Sequence, residues 1–254
     1  MGIIFFIYGA IFGSFYNVVI YRLPLDMSIR TGRSACPSCH TSLKVLDLFP
    51  VLSFIFLGGR CRYCKTMISL RYPAIEIATG VLFFLAYKFF GITAETFLYI
   101  SFWSMLLITA MIDWDHLVVL DSVLLFFSAI DLILLVFLGY SWKHYTLGAL
   151  AGVVIYGLIY VISRAIYKKE AFGSGDITLI AAVGIVFGAK KTLMISMMAF
   201  YIALVIIIVL KISGKKIAKH DEIPFGPSIC LAAFVMSIYG DPIMKWISSI
   251  MGIA

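Results

Sequence analysis

Apolar runs long enough to carry a helix across a hydrocarbon layer about 30 Å thick recur along almost the whole of this 254-residue chain. Up to eight can be marked, at residues 2–20, 73–90, 94–112, 117–138, 146–166, 177–189, 192–213 and 225–250. The sixth is short, which predicts a half-spanning or tilted segment. Water is absent from the bilayer core, so each spanning segment must satisfy its own backbone hydrogen bonds, and helices do this. The expected fold is therefore an all-α polytopic membrane protein with about eight transmembrane helices. Composition agrees: 63% of residues are hydrophobic and 13% charged, against about a quarter charged in soluble domains. The first run lacks a basic leading stretch and an A-x-A-like cleavage site, and it carries Asn17. It reads as a membrane helix rather than a signal peptide.

The net charge of +7 could suggest nucleic acid, but its distribution argues for topology instead. With the N-terminus outside and each run crossing once, only Lys88, Lys143, Lys190, Lys191 and Lys245 fall outside, and the other fifteen of the twenty Lys and Arg residues fall inside. That asymmetry follows the positive-inside bias. It also places Asp113, Asp115, Asp121 and Asp176 near cytoplasmic helix ends. No nucleic-acid partner is expected; the lipid bilayer is.

Residues 21–72 form a polar insertion between the first helix (1–20) and the remaining bundle (73–254). It holds two C-x-x-C pairs, Cys36/Cys39 and Cys61/Cys64, with twenty-one residues between them, close to the spacing of a four-cysteine zinc ribbon. Two such turns can bring four thiolates to about 2.3 Å from one tetrahedral ion and leave no position open to substrate. The expected metal is therefore a structural zinc, supplying much of the folding energy of a segment with little core of its own. The alternative is dithiol redox chemistry, which a reducing cytoplasmic side disfavours. Cys230, alone on an apolar run, reads as a buried small hydrophobe.

Acids inside hydrocarbon cost several kcal/mol unless they face a polar cavity, and they commonly act there. Two clusters qualify. "IDWDH" at 112–116, followed by Asp121, closes the third run, and "GSGD" at 173–176 opens the sixth. Glycines before Asp176 free the backbone to turn, or let another segment approach closely. Two carboxylates held a few ångströms apart share one proton, and such a dyad can activate water and polarise an amide carbonyl with no covalent intermediate. The alternative is that these acids merely end helices at the headgroups. Asp113 and Asp115 point to different helix faces, so at most one of them meets Asp176; the spacing does not choose among Asp113, Asp115 and Asp121.

The ordered set of motifs resembles the type IV prepilin peptidases, GxGD-type aspartic proteases of bacterial membranes. "GSFYNVVIYRLP" at 13–24, the two C-x-x-C pairs, "SLRYPAIE" at 69–76, "IDWDH", "GSGDITLI" at 173–180 and "IPFGPSICLA" at 223–232 carry the resemblance over nearly the whole chain. It implies that Asp113 and Asp176 are the catalytic pair. It further implies that leaders are removed from type IV prepilins and pilin-like precursors on the cytoplasmic side of the bacterial inner membrane, after a glycine. Many members also N-methylate the new terminus with S-adenosylmethionine. Glu76 is the candidate for that second activity, with an ion pair to Arg71 as the alternative. Where the family has Pro-Asp, this chain has Leu120 before Asp121.

Asn17 is expected to bind across helices, with contact to substrate backbone as the alternative. His116 is expected to face headgroups, and Asp131, about ten residues beyond Asp121, to pair within the bundle. A transporter using acids as a proton relay is the rival from another class. It predicts internal repeats, and neither aspartate motif has a second copy in the sequence.

Overall fold

A computed structural model describes residues 1–167, 173–213 and 223–251. The chain is all-helical over the described residues, and it packs as two compact units, Met1–Thr96 and Phe97–Ala254.

The first unit pairs α1 (Gly2–Arg22) with α3 (Arg71–Phe90). Glycines make that pairing close. A methyl on Gly9 would stand 2.6 Å from the Thr79 carbonyl oxygen, and one on Gly13 would stand 2.7 Å from the Glu76 Cα. Membrane helices attract one another mainly through such close backbone packing and through polar bridges. Asn17 supplies a bridge, donating from Nδ2 to the Tyr72 carbonyl at 3.1 Å. Between the two helices lie the two cysteine turns and the short α2 (Leu52–Phe56).

α4 (Ala94–His116) crosses the boundary between the units, and the second unit continues through α5 (Asp121–Phe137), α6 (Trp142–Tyr167), α7 (Ser174–Ile212) and α8 (Gly226–Met251). Six described helices are long and apolar enough to cross a membrane; the 17-residue α5 is not among the six, and α7 counts once. A straight helix of 39 residues would run about 58 Å, nearly twice the hydrocarbon thickness.

α7 avoids that length by breaking at Gly188, whose φ of 70° and ψ of 171° lie outside the helical region. Its two arms, 174–187 and 189–212, fold back on each other. Gly148 of α6 packs on Gly184 and Gly188, and Gly152 packs on Ile180, so α6 runs antiparallel to the first arm and brings Tyr156 to the level of Asp176. Tyr156 also stacks near Phe200 of the second arm, at 6.3 Å between ring centroids. A second arm continuing straight would carry Phe200 about 36 Å from that level. The sixth and seventh sequence runs are thus a helical hairpin, and the first arm, about 21 Å long, is as short as the sequence implies. His144 covers the reversal, its Nε2 3.0 Å from the Val186 carbonyl oxygen.

Candidate functional site

Three helix ends meet in the second unit. α4 stops after His116, where Leu117 adopts a positive φ of 56°. Leu120 is extended, at φ −91° and ψ 113°, and α5 then opens on Asp121. Leucine therefore takes the extended backbone that starts α5 without a proline, and Asp121 keeps its place in the first turn. α8 opens with Gly226 followed by Pro227, whose fixed φ suits a first turn.

Asp113 lies in the last turn of α4 and is buried. Its Oδ2 accepts the Gly226 N–H at 2.9 Å, so one carboxylate oxygen takes up an otherwise unpartnered amide at the start of α8. Asp176, also buried, stands in the first turn of α7. Its carboxylate lies within electrostatic reach of Asp113. Neither glycine of "GSGD" needs a positive φ. Gly175 serves close approach instead, since a methyl there would stand 2.7 Å from the Val119 Cβ, and this contact holds the start of α7 against the turn that follows Asp113. A methyl on Gly173 would make only ordinary contact, 3.4 Å from Asp176 Oδ2.

Of the acids that the sequence leaves open, Asp115 and Asp121 are exposed, and so is His116. Asp113 alone of the three acids is turned inward. Asp131 is buried on α5 facing the Ser101 hydroxyl of α4, a neighbour within the bundle, although no hydrogen bond of good geometry joins them among the described residues. The packing also places beside the acids residues whose position there the sequence did not indicate. Cys230, one turn into α8, is buried within electrostatic reach of both Asp113 and Asp176. Tyr156 reaches Asp176 in the same way, and Phe225 packs against Phe200 at 5.1 Å. Cys230 is the small hydrophobe that its surroundings suggest, but its place beside the acids depends on where α8 docks.

In the first unit the cysteine turns are two copies of one knuckle. The Cys36 N–H donates to the Thr41 carbonyl at 3.1 Å, and the Cys61 N–H to the Thr66 carbonyl at 2.8 Å. His40 and Lys65 take positive φ of 56° and 62° just after each second cysteine. The four Sγ atoms lie within 4.8 Å of one another, and Cys36 and Cys64 are 3.7 Å apart. Four sulfurs about 2.3 Å from a tetrahedral ion stand about 3.8 Å apart, so the donor set fits a metal ion. Backbone N–H groups of Cys39 and Ser38 push the Cys36 thiol down to about 6, and the Thr66 hydroxyl lowers Cys64. Asp47 braces the second knuckle: it accepts Arg62 Nε at 2.6 Å and the Tyr63 hydroxyl at 3.1 Å. Burial would raise the Asp47 carboxyl, but these donors and the Lys44 N–H hold it below the usual range.

Glu76 is buried on α3, and its Oε2 accepts the Val51 N–H at 2.7 Å. Val51 precedes α2 with a φ of 61°, a region costly for a β-branched residue. The carboxylate thus holds a strained turn of the cysteine segment in place.

A polytopic helical membrane protein that buries two carboxylates near each other at helix ends and gathers four cysteine sulfurs as a metal-binding set is the class these features define. The chain belongs to the type IV leader peptidase family. Residues 7–90 match the bacterial peptidase A24 N-terminal domain, and residues 100–208 match the type IV leader peptidase family itself. A prepilin leader peptidase/N-methyltransferase of Bacillus subtilis is 35% identical over 253 residues, covering 96% of each chain. One from Stutzerimonas stutzeri is 30% identical over 92% of this chain and 89% of its own, and one from Klebsiella pneumoniae is 37% identical over 72% and 83%. No solved structure shows a significant match.

Proposed function

We propose that this protein removes the leader peptide from type IV prepilins and pilin-like precursors at the cytoplasmic face of the bacterial inner membrane, cleaving after a glycine, with Asp113 and Asp176 as the catalytic pair. The observation that carries this reading is the burial of these two acids, 63 residues apart in sequence and on different helices, within reach of each other's charge. Two such carboxylates share one proton. The ionised member takes a proton from water as its oxygen attacks the scissile carbonyl carbon, while the protonated member gives its proton to the carbonyl oxygen. Collapse of the resulting diol returns a hydroxyl proton to the second acid and expels the amine, which takes up the proton held by the first, so the pair again shares one proton. The Gly226 N–H fixes the orientation of Asp113 throughout.

Cys36, Cys39, Cys61 and Cys64 would hold a structural zinc, whose role is to fold the segment rather than to meet substrate. The names of the relatives support a second activity, N-methylation of the new terminus, for which S-adenosylmethionine would supply the methyl group; Glu76 is the candidate residue. The basic-residue asymmetry supports a cytoplasmic site, where the charged leader of a precursor would arrive. The test is incubation of purified protein with a synthetic prepilin peptide, reading cleavage and methylation by mass. Asp113→Asn and Asp176→Asn should each remove cleavage, lowering it about 10²–10⁴-fold, in protein that still folds. Full cleavage by either variant defeats the assignment.

A further inference from the structure

The second unit holds a cavity of about 670 Å³ whose lining includes Lys143, His144, Lys190, Lys191, Lys245 and Asp241. It lies at the hairpin end of α7, twelve residues or roughly 18 Å from Asp176. Four of the five lysines that the charge asymmetry leaves on the poorly basic side of the chain converge here. Asp241 is the one acid in this lining, and it pairs with Lys191 at 2.7 Å. Among the described residues, Lys143, Lys190 and Lys245 form no ion pair within 4 Å of a carboxylate. Two helices also begin at this end, α6 at Trp142 and the second arm of α7 just past Gly188. Their first-turn N–H groups and dipoles add positive potential.

We propose that this basin binds a phosphate-bearing anion, with the headgroup of an anionic phospholipid as its source. Lysines that merely snorkel to a membrane surface would be spread around the bundle. Here they face one cavity, with one carboxylate against four ammonium groups. The basin sits at a helix-end level, where a bilayer presents phosphates, and its lining also includes Leu147, Phe187 and Met244, apolar groups that suit the start of an acyl chain. Phosphate held there would tie the α7 reversal to the starts of α6 and the end of α8. Free phosphate shares the recognising chemistry, and the experiment separates the two sources.

The test titrates full-length protein in mixed micelles with phosphatidylglycerol, phosphatidylcholine or inorganic phosphate, reading the thermal midpoint and the lipid retained in native mass spectra. Phosphatidylglycerol should raise the midpoint and be retained, and phosphatidylcholine should do neither. Replacing Lys143, Lys190 and Lys245 together by Gln should weaken phosphatidylglycerol binding on the order of a hundredfold, at about fivefold per lysine. Lys88→Gln, outside the cavity, should leave it unchanged. Asp241→Asn removes the opposing carboxylate and should tighten binding severalfold, a gain that misfolding cannot imitate. Stabilisation by inorganic phosphate that the triple variant loses supports the phosphate site and shows that a free anion suffices. Equal retention of phosphatidylglycerol by the triple variant, equal binding of phosphatidylcholine, or weaker binding by Asp241→Asn overturns the proposal.

Discussion

The Gly226 N–H and the Asp113 carboxylate, 113 residues apart, are joined by a 2.9 Å hydrogen bond, and there is no room between them for a side chain. A methyl on Gly226 would stand 2.6 Å from Asp113 Oδ2. Gly226→Ala should therefore displace the carboxylate and lower leader cleavage by roughly 10²-fold, the scale of an ångström's misplacement at a reacting group. The check is peptide cleavage by the variant, with its helical circular dichroism unchanged.

The two glycines of "GSGD" should respond differently. Gly175→Ala would force a methyl against Val119 at 2.7 Å, whereas Gly173→Ala meets nothing closer than 3.4 Å. The first should lose most cleavage and the second should retain it. Similar activity in both variants would show that the Val119 contact does not position Asp176.

Metal content should follow the four cysteines. Purified protein should carry about one zinc per chain, and Cys36→Ser or Cys61→Ser should release it and lower the melting midpoint. The Cys36 thiol is depressed from 9.0 to about 6, so its thiolate persists at neutral pH and is lost as pH falls through that value. Zinc, which needs thiolates, should be retained at about pH 7 to 8 and shed under acid as protons compete for the four sulfurs. Elemental analysis after dialysis at each pH reads this directly.

Glu76 should separate structure from chemistry. Glu76→Gln keeps an oxygen able to accept the Val51 N–H, and Glu76→Ala removes it, at a cost of about 1–3 kcal/mol for a buried donor left alone. Loss of methylation in a stably folded Glu76→Gln variant would support the methyl-transfer role; loss only in Glu76→Ala would make Glu76 a brace for Val51.

The hairpin of α7 should depend on Gly188. An alanine there would hold a φ of 70° and stand 2.8 Å from the His144 ring. A positive φ with an extended ψ is a backbone region essentially reserved for glycine and costs a side chain about 1–3 kcal/mol, which for a chain of this size lowers the melting midpoint by several degrees. An unchanged midpoint would mean that the reversal is not held as described.

Much of this protein was legible before folding because its signals are local. Apolar run lengths, the one-sided basic residues, the C-x-x-C spacing and the ordered motifs depend on chemistry within a few residues, so the helical membrane class, the cysteine set and the two acids could be read from them. The α7 hairpin was legible only as a short run, 177–189, next to a full-length one, 192–213, because its reversal rests on contacts of Gly148, Gly152 and Tyr156 with residues elsewhere in the chain.

Residue chemistry along the chain sets which groups can ionise, ligate a metal or span a bilayer. Helix docking sets which of them meet. It turned Asp113 inward and left Asp115 and Asp121 exposed, placed Cys230 and Tyr156 beside the acids, gave Glu76 the Val51 N–H, and gathered four scattered lysines into one basin. The physical reason is that helical periodicity fixes a side chain's direction about its own axis, while the neighbour it faces depends on how separate helices dock, through close glycine contacts and long-range hydrogen bonds.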